Sequence, residues 1–135
     1  MSDTSISASA TVRPAEAAID GLQAGLRFRL DRASVVAVPV PPDLRTAQDG
    51  SWPTHVVAGR FTEGPEIGAV GVWVCGDVAP HPAREVDLGP IVAVNGTARA
   101  WSVWGAEVHP GGPLRTAARH ASGSGLVAAV VSACR

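Results

Sequence analysis

A chain of 135 residues that is 46% hydrophobic and 17% charged has enough apolar material for a packed core and lies far from the composition of disordered chains. Its 11 basic and 12 acidic residues leave a net charge of -1, so no overall field draws in nucleic acid or an anionic membrane, and neither is expected as a partner. No uncharged apolar stretch approaches the roughly 18 residues of a membrane span, and residues 1–11 lack the basic-then-apolar pattern of a secretory leader; a cytoplasmic location, or one within an assembled particle, is the expectation.

Residues 5–12 alternate Ile6, Ala8, Ala10 and Val12 with Ser5, Ser7, Ser9 and Thr11, the period-two mark of a short edge strand or an extended arm, a frayed terminus being the alternative. Residues 1–12 are therefore set apart as an N-terminal arm and 13–135 as a single domain. Pro14 opens a segment in which Ala15, Ala18, Ile19 and Leu22 recur at helical spacing, which predicts a helix over 14–24 with Gly25 as a left-handed cap. The period then falls to two: Leu26, Phe28 and Leu30 alternate with Arg27, Arg29 and Asp31, a strand signature. A turn over 31–33 leads into a valine-rich strand over 34–40, stopped by Pro41 and Pro42.

Residues 41–54 carry three prolines and Asp49-Gly50, so they form a long surface loop or a small hairpin. Strands are expected over 55–61 and 68–76. The second is apolar on both sides, with Val70, Val72 and Val74 on one and Ala69, Trp73 and Cys75 on the other. Such a strand lies either centrally in a covered sheet or with one face against a partner subunit. Residues 77–86 read as a loop. Asn95-Gly96 then stands between the strand-like runs 91–94 and 97–104 and predicts a type I′ hairpin, whose two central residues need positive φ. The glycosylation sequon at Asn95 is set aside because no leader is present. A short helix over 113–121 ends at Ser122-Gly123-Ser124-Gly125, and 126–133, uncharged and rich in valine and alanine, is read as a closing strand with a terminal helix as the alternative. The sum is an α+β fold with about six to seven mostly antiparallel strands, as a sheet, small barrel or sandwich, and two short helices.

Chemistry is thinly represented. Cys75 ends a strand, where a nucleophile often stands, and His55, His81, His109 and His120 are the available bases; a packed thiol is the plainer account, since no local signature surrounds it. Cys75, His81 and His109 are the weak catalytic candidates. The histidines are scattered singly, so a site joining His81 and His109 to Asp77, Glu85 or Glu107 would be poor, and neither a metal nor another cofactor is expected. Both cysteines, Cys75 and Cys134, read as reduced thiols. Ser122-Gly123-Ser124 departs from a nucleophile elbow, having serine where the strained turn needs glycine. Neither glycine-rich phosphate motif occurs. Arg115 and Arg119, at i, i+4 with His120 beside them, make a small anion-facing patch or an ordinary solvated helix face. All 11 basic residues are arginine, and lysine and tyrosine are absent; this is the coding bias of a GC-rich bacterial or phage genome, so arginine identity by itself argues nothing.

Of the four tryptophans, Trp101 and Trp104 are three apart in an expected strand and point to opposite faces, so one of them must cover a second layer or another molecule. Trp52, in a proline-flanked loop, is the candidate exposed anchor, with packing under that loop as the plainer account. With Arg115 and Arg119 these tryptophans are the candidate binding residues. The expected function is a non-enzymatic structural or assembly subunit, such as a small phage-particle or shell component, that forms homo-oligomers or joins other protein subunits through apolar sheet faces and an N-terminal arm. The alternatives are a ligand- or peptide-binding module using Trp52 and the 41–54 loop, and a small Cys/His enzyme centred on Cys75.

Overall fold

The structure, a computed structural model, describes residues 11–40, 54–76, 78, 91–104 and 125–134. Its middle is built from valine, whose branched side chain is stiff and packs well on a pleated surface. Four strands, β1 (Val36–Pro39), β2 (His55–Arg60), β3 (Val70–Cys75) and β4 (Val92–Ala93), form one antiparallel sheet in that order. The register pairs Ala37 with Val57, Val57 with Trp73 and Trp73 with Ala93, so these side chains share a face, while Val38, Val56, Val74 and Val92 share the other.

Each face carries helices. On the first, α1 (Glu16–Ala24) buries Ala18, Ile19 and Leu22, and α2 (Gly96–Trp101) buries Ala98, in one cluster with Phe61, Trp73 and Cys75. On the second, α3 (Leu126–Cys134) seats Val130 and Cys134 among Val38, Val56, Val72, Val74 and Val92. The fold is α+β, helix on sheet on helix. No helix of the described residues is long and apolar enough to cross a membrane.

The expected helix over 14–24 is α1, with Pro14 just ahead of its N-cap Ala15, whose N–H donates to the Val78 carbonyl at 2.8 Å. The strands expected over 34–40, 55–61, 68–76 and 91–94 are β1 to β4, each trimmed at its ends. Of the arm, Val12 exchanges two backbone hydrogen bonds with Ala37 on the outer edge of β1, while residues 1–10 lie outside the described set, as does the helix expected over 113–121.

Four expectations are corrected. Residues 26–30 make no strand, only isolated bridges from Leu26 to Ser102 and from Leu30 to Phe61. Gln23 holds this segment instead: its Nε2 donates to the Phe28 carbonyl at 3.0 Å, and its Oε1 accepts from the Leu30 N–H at 2.9 Å. Gly25 is not left-handed, at φ -94°; a Cβ there would stand 2.2 Å from the Trp104 ring, so glycine is needed for close approach. The Asn95-Gly96 pair makes no hairpin, because Asn95 is the N-cap of α2 and residues 96–101 are helical. The closing segment is the helix α3. Four of the expected six to seven strands stand among the described residues.

Candidate functional site

The alternation of β2 and β3 brings the thiol candidate beside a base. His55 and Cys75 are register partners on the face that also carries Val57 and Trp73, and such cross-strand neighbours hold their Cβ atoms about 4.5–5.5 Å apart. Thr54 N–H closes the corner by donating to the Cys75 carbonyl at 2.9 Å. Both side chains are enclosed, Cys75 at 3% exposure and His55 at 7%. Above the thiol lie Pro14, Ala18 and Ile19, with Val78 and Ile91 alongside, and the gap among them is about 10 Å³. That admits one water and no substrate. The thiol Sγ is 3.5 Å from the Gly76 carbonyl oxygen. Cys134 sits on the opposite face of the sheet, so the two thiols stand in separate layers.

The other sequence candidates divide sharply. Trp52, His81, His109, Arg115, Arg119 and His120 lie outside the described residues. Trp101 and Trp104, expected on opposite faces of a strand, instead pack against the same apolar cluster, because the chain between them is the end of a helix and a turn. Trp101 meets Phe28 at 5.2 Å and Phe61 at 4.9 Å between ring centroids, both edge-to-face. That geometry suits the ring quadrupoles. Trp104 covers Gly25. Both indoles are half-buried, and their second layer is supplied by this chain's own α1 and the 26–30 segment. Among the described residues no three His, Cys, Asp or Glu side chains gather as a metal site would need.

The apolar strand is covered on both sides. Val72 and Val74 are fully buried toward α3, and Trp73 and Cys75 are buried toward α1, all by residues of the same chain. Of the two arrangements open to such a strand, the central one in a covered sheet is observed. Among the described residues α3 presents an outer face without charge, while the exposed large apolar side chains, Ile67 and Val103, stand singly elsewhere. The nine residues of α3, LVAAVVSAC, include no charged side chain on any side. Ala128 and Ser132 are exposed, and Val127, Ala129, Val131 and Ala133 are half-exposed. The signal was present in the sequence as a charge-free run, but a strand reading leaves no single outward face on which to place it.

Comparison of the chain with family models, with curated proteins and with solved structures finds no match.

Proposed function

We propose that this chain is a non-enzymatic assembly subunit, of the kind found in a small phage particle or shell, and that it associates with further copies of itself through the outer face of α3. The observation that carries the reading is the helix just described: an outer-layer helix of a soluble domain ordinarily turns charged side chains to water, and α3 turns Ala128 and Ser132. Small residues one turn apart let two helices approach closely. An uncharged strip is also complementary to itself, so pairing about a two-fold axis brings no like charges together. β3 takes no part in this contact, since both its faces are filled. The N-terminal arm, whose last residue Val12 already extends the edge of β1, is a second route to a neighbouring subunit.

Native mass spectrometry at micromolar concentration tests the reading. Wild-type protein should give dimers or larger species, and Ala128→Arg should give folded monomer, since it places a charge in the contact while leaving each subunit's own core intact. A wild type that is strictly monomeric rejects assembly.

A second reading, thiol chemistry at Cys75, is favoured by the cross-strand placement of His55. Iodoacetamide labelling of the folded protein separates the two: a buried structural Cys75 reacts only at the rate of unfolding, whereas a working Cys/His pair reacts fast and with its own pH profile.

A further inference from the structure

Residues 26–30 are pinned from both sides. Besides the Gln23 clamp, the Arg27 N–H donates to the Trp101 carbonyl at 2.8 Å, and the Arg29 carbonyl accepts from the Thr62 N–H at 2.9 Å. The backbone is thus held, and Arg27 and Arg29 are both exposed. Between them Phe28 is half-buried, edge-on to Trp101 and packed over Gly64, where a Cβ would lie 3.1 Å from its ring. These residues border an open cleft of about 450 Å³, with Leu26 and Phe28 among its apolar lining and Arg27, Arg29, Arg32 and Glu63 among its polar lining. The volume falls within the range of small-molecule sites, roughly 300–1,000 Å³.

The charges are unevenly matched. Arg13, Arg32 and Arg60 each face a carboxylate: Glu16 for Arg13, Glu16 and Asp20 for Arg32, and Asp31 for Arg60. Among the described residues Arg27 and Arg29 face none, and the one carboxylate lining the cleft, Glu63, accepts from the Arg29 backbone N–H at 3.3 Å. In a chain without lysine the choice of arginine carries no information, but its placement does. Two unmatched guanidinium groups, on a backbone fixed before any ligand arrives, flank an aromatic ring.

From this arrangement we infer that the cleft binds a small organic oxyanion, a carboxylate or phosphate on a flat apolar body. The guanidinium groups of Arg27 and Arg29, planar forks of N–H donors, donate to the oxyanion's oxygens, and the apolar body lies over Phe28 and Leu26. This goes beyond the assembly reading and uses a different part of the surface from α3.

Isothermal titration of the full chain at low salt, with phenyl phosphate, benzoate and inorganic phosphate as probes, tests it. Phenyl phosphate or benzoate should bind, and Arg27→Gln with Arg29→Gln should weaken that binding by about tenfold or more, since two charge-assisted contacts are removed. Glu63→Gln keeps an acceptor for the Arg29 N–H while removing a charge, and should tighten binding by roughly two- to threefold. Arg99→Gln, an exposed arginine that does not line the cleft, should leave it unchanged. Circular dichroism checks that each variant folds; among the described residues neither the Arg27 nor the Arg29 side chain bonds another side chain. The inference is overturned if neither organic anion binds at millimolar concentration, if the double variant binds as tightly as wild type, or if inorganic phosphate matches phenyl phosphate.

Discussion

Asn95 decides what the chain does after β4, and it does so through three backbone partners. Its Oδ1 accepts from the Ala98 N–H at 3.0 Å and from the Val72 N–H at 3.2 Å, and its Nδ2 donates to the Val70 carbonyl at 2.9 Å. The first bond caps α2 at the third helical amide. The other two occupy the edge of β3 where β4 is too short to reach. A local rule for Asn-Gly sees only a tight turn with positive φ, and none of this is local: Val70 and Val72 are remote in sequence, and Asn95 itself sits in extended backbone at φ -109°. Gly25 was misread for the same kind of reason, its true constraint being the Trp104 ring. Asn95→Ala removes the cap and strands a strand-edge donor and acceptor, so it should cost about 2–4 kcal/mol. Urea denaturation measures this, and a loss under about 1 kcal/mol would mean that the three bonds contribute little in solution.

At the scale of elements, α1 was legible from period and the strands from composition. Ala18, Ile19 and Leu22 recur at helical spacing among polar residues, whereas β2 and β3 are buried along almost their whole length and were marked by valine content and by the turn residues around them. The closing segment has no such contrast. Apolar side chains fill nearly every position of LVAAVVSAC, so neither period stands out, and valine content favoured a strand. Packing settled the matter otherwise: a sheet face lined by Val38, Val56, Val72 and Val74 is covered by a helix whose Val130 and Cys134 lie one turn apart on its inner side. Helical stability of this kind comes from the docking surface rather than from propensity. The pairing of His55 with Cys75 was hidden in a similar way, since it depends on the β2–β3 register, which no residue near either position encodes.

Across the whole molecule, two sets of ion pairs meet at the neighbouring residues Asp31 and Arg32 and link the outside of the α1 layer to the sheet. Arg13 and Arg32 hold Glu16, Arg32 also holds Asp20 at 2.9 Å, and Asp31, whose Oδ1 accepts from the Ala33 N–H, binds Arg60 of β2 at 2.7 Å. The hydrogen bond from Arg32 holds the Glu16 carboxyl below its ordinary value, and the bond from Arg60, with help from the Ala33 N–H, does the same for Asp31. A carboxyl whose folded-state pKa is depressed binds protons more readily when unfolded, so its stabilisation is complete above the unfolded-state value and is lost as pH falls through the folded one. With ordinary carboxyl values near 4, the melting temperature should hold steady from neutral pH down to about 5 and fall below about 4. These groups are at the surface, so each contribution is small and screened by salt. The discriminating measurement is the slope: Glu16→Gln with Asp31→Asn, which keeps the amide acceptor for Ala33, should melt lower than wild type at neutral pH and lose less on acidification. Parallel melting curves for the two proteins across that range would place the acid sensitivity in other carboxylates and leave this network without a measurable part in holding α1 against the sheet.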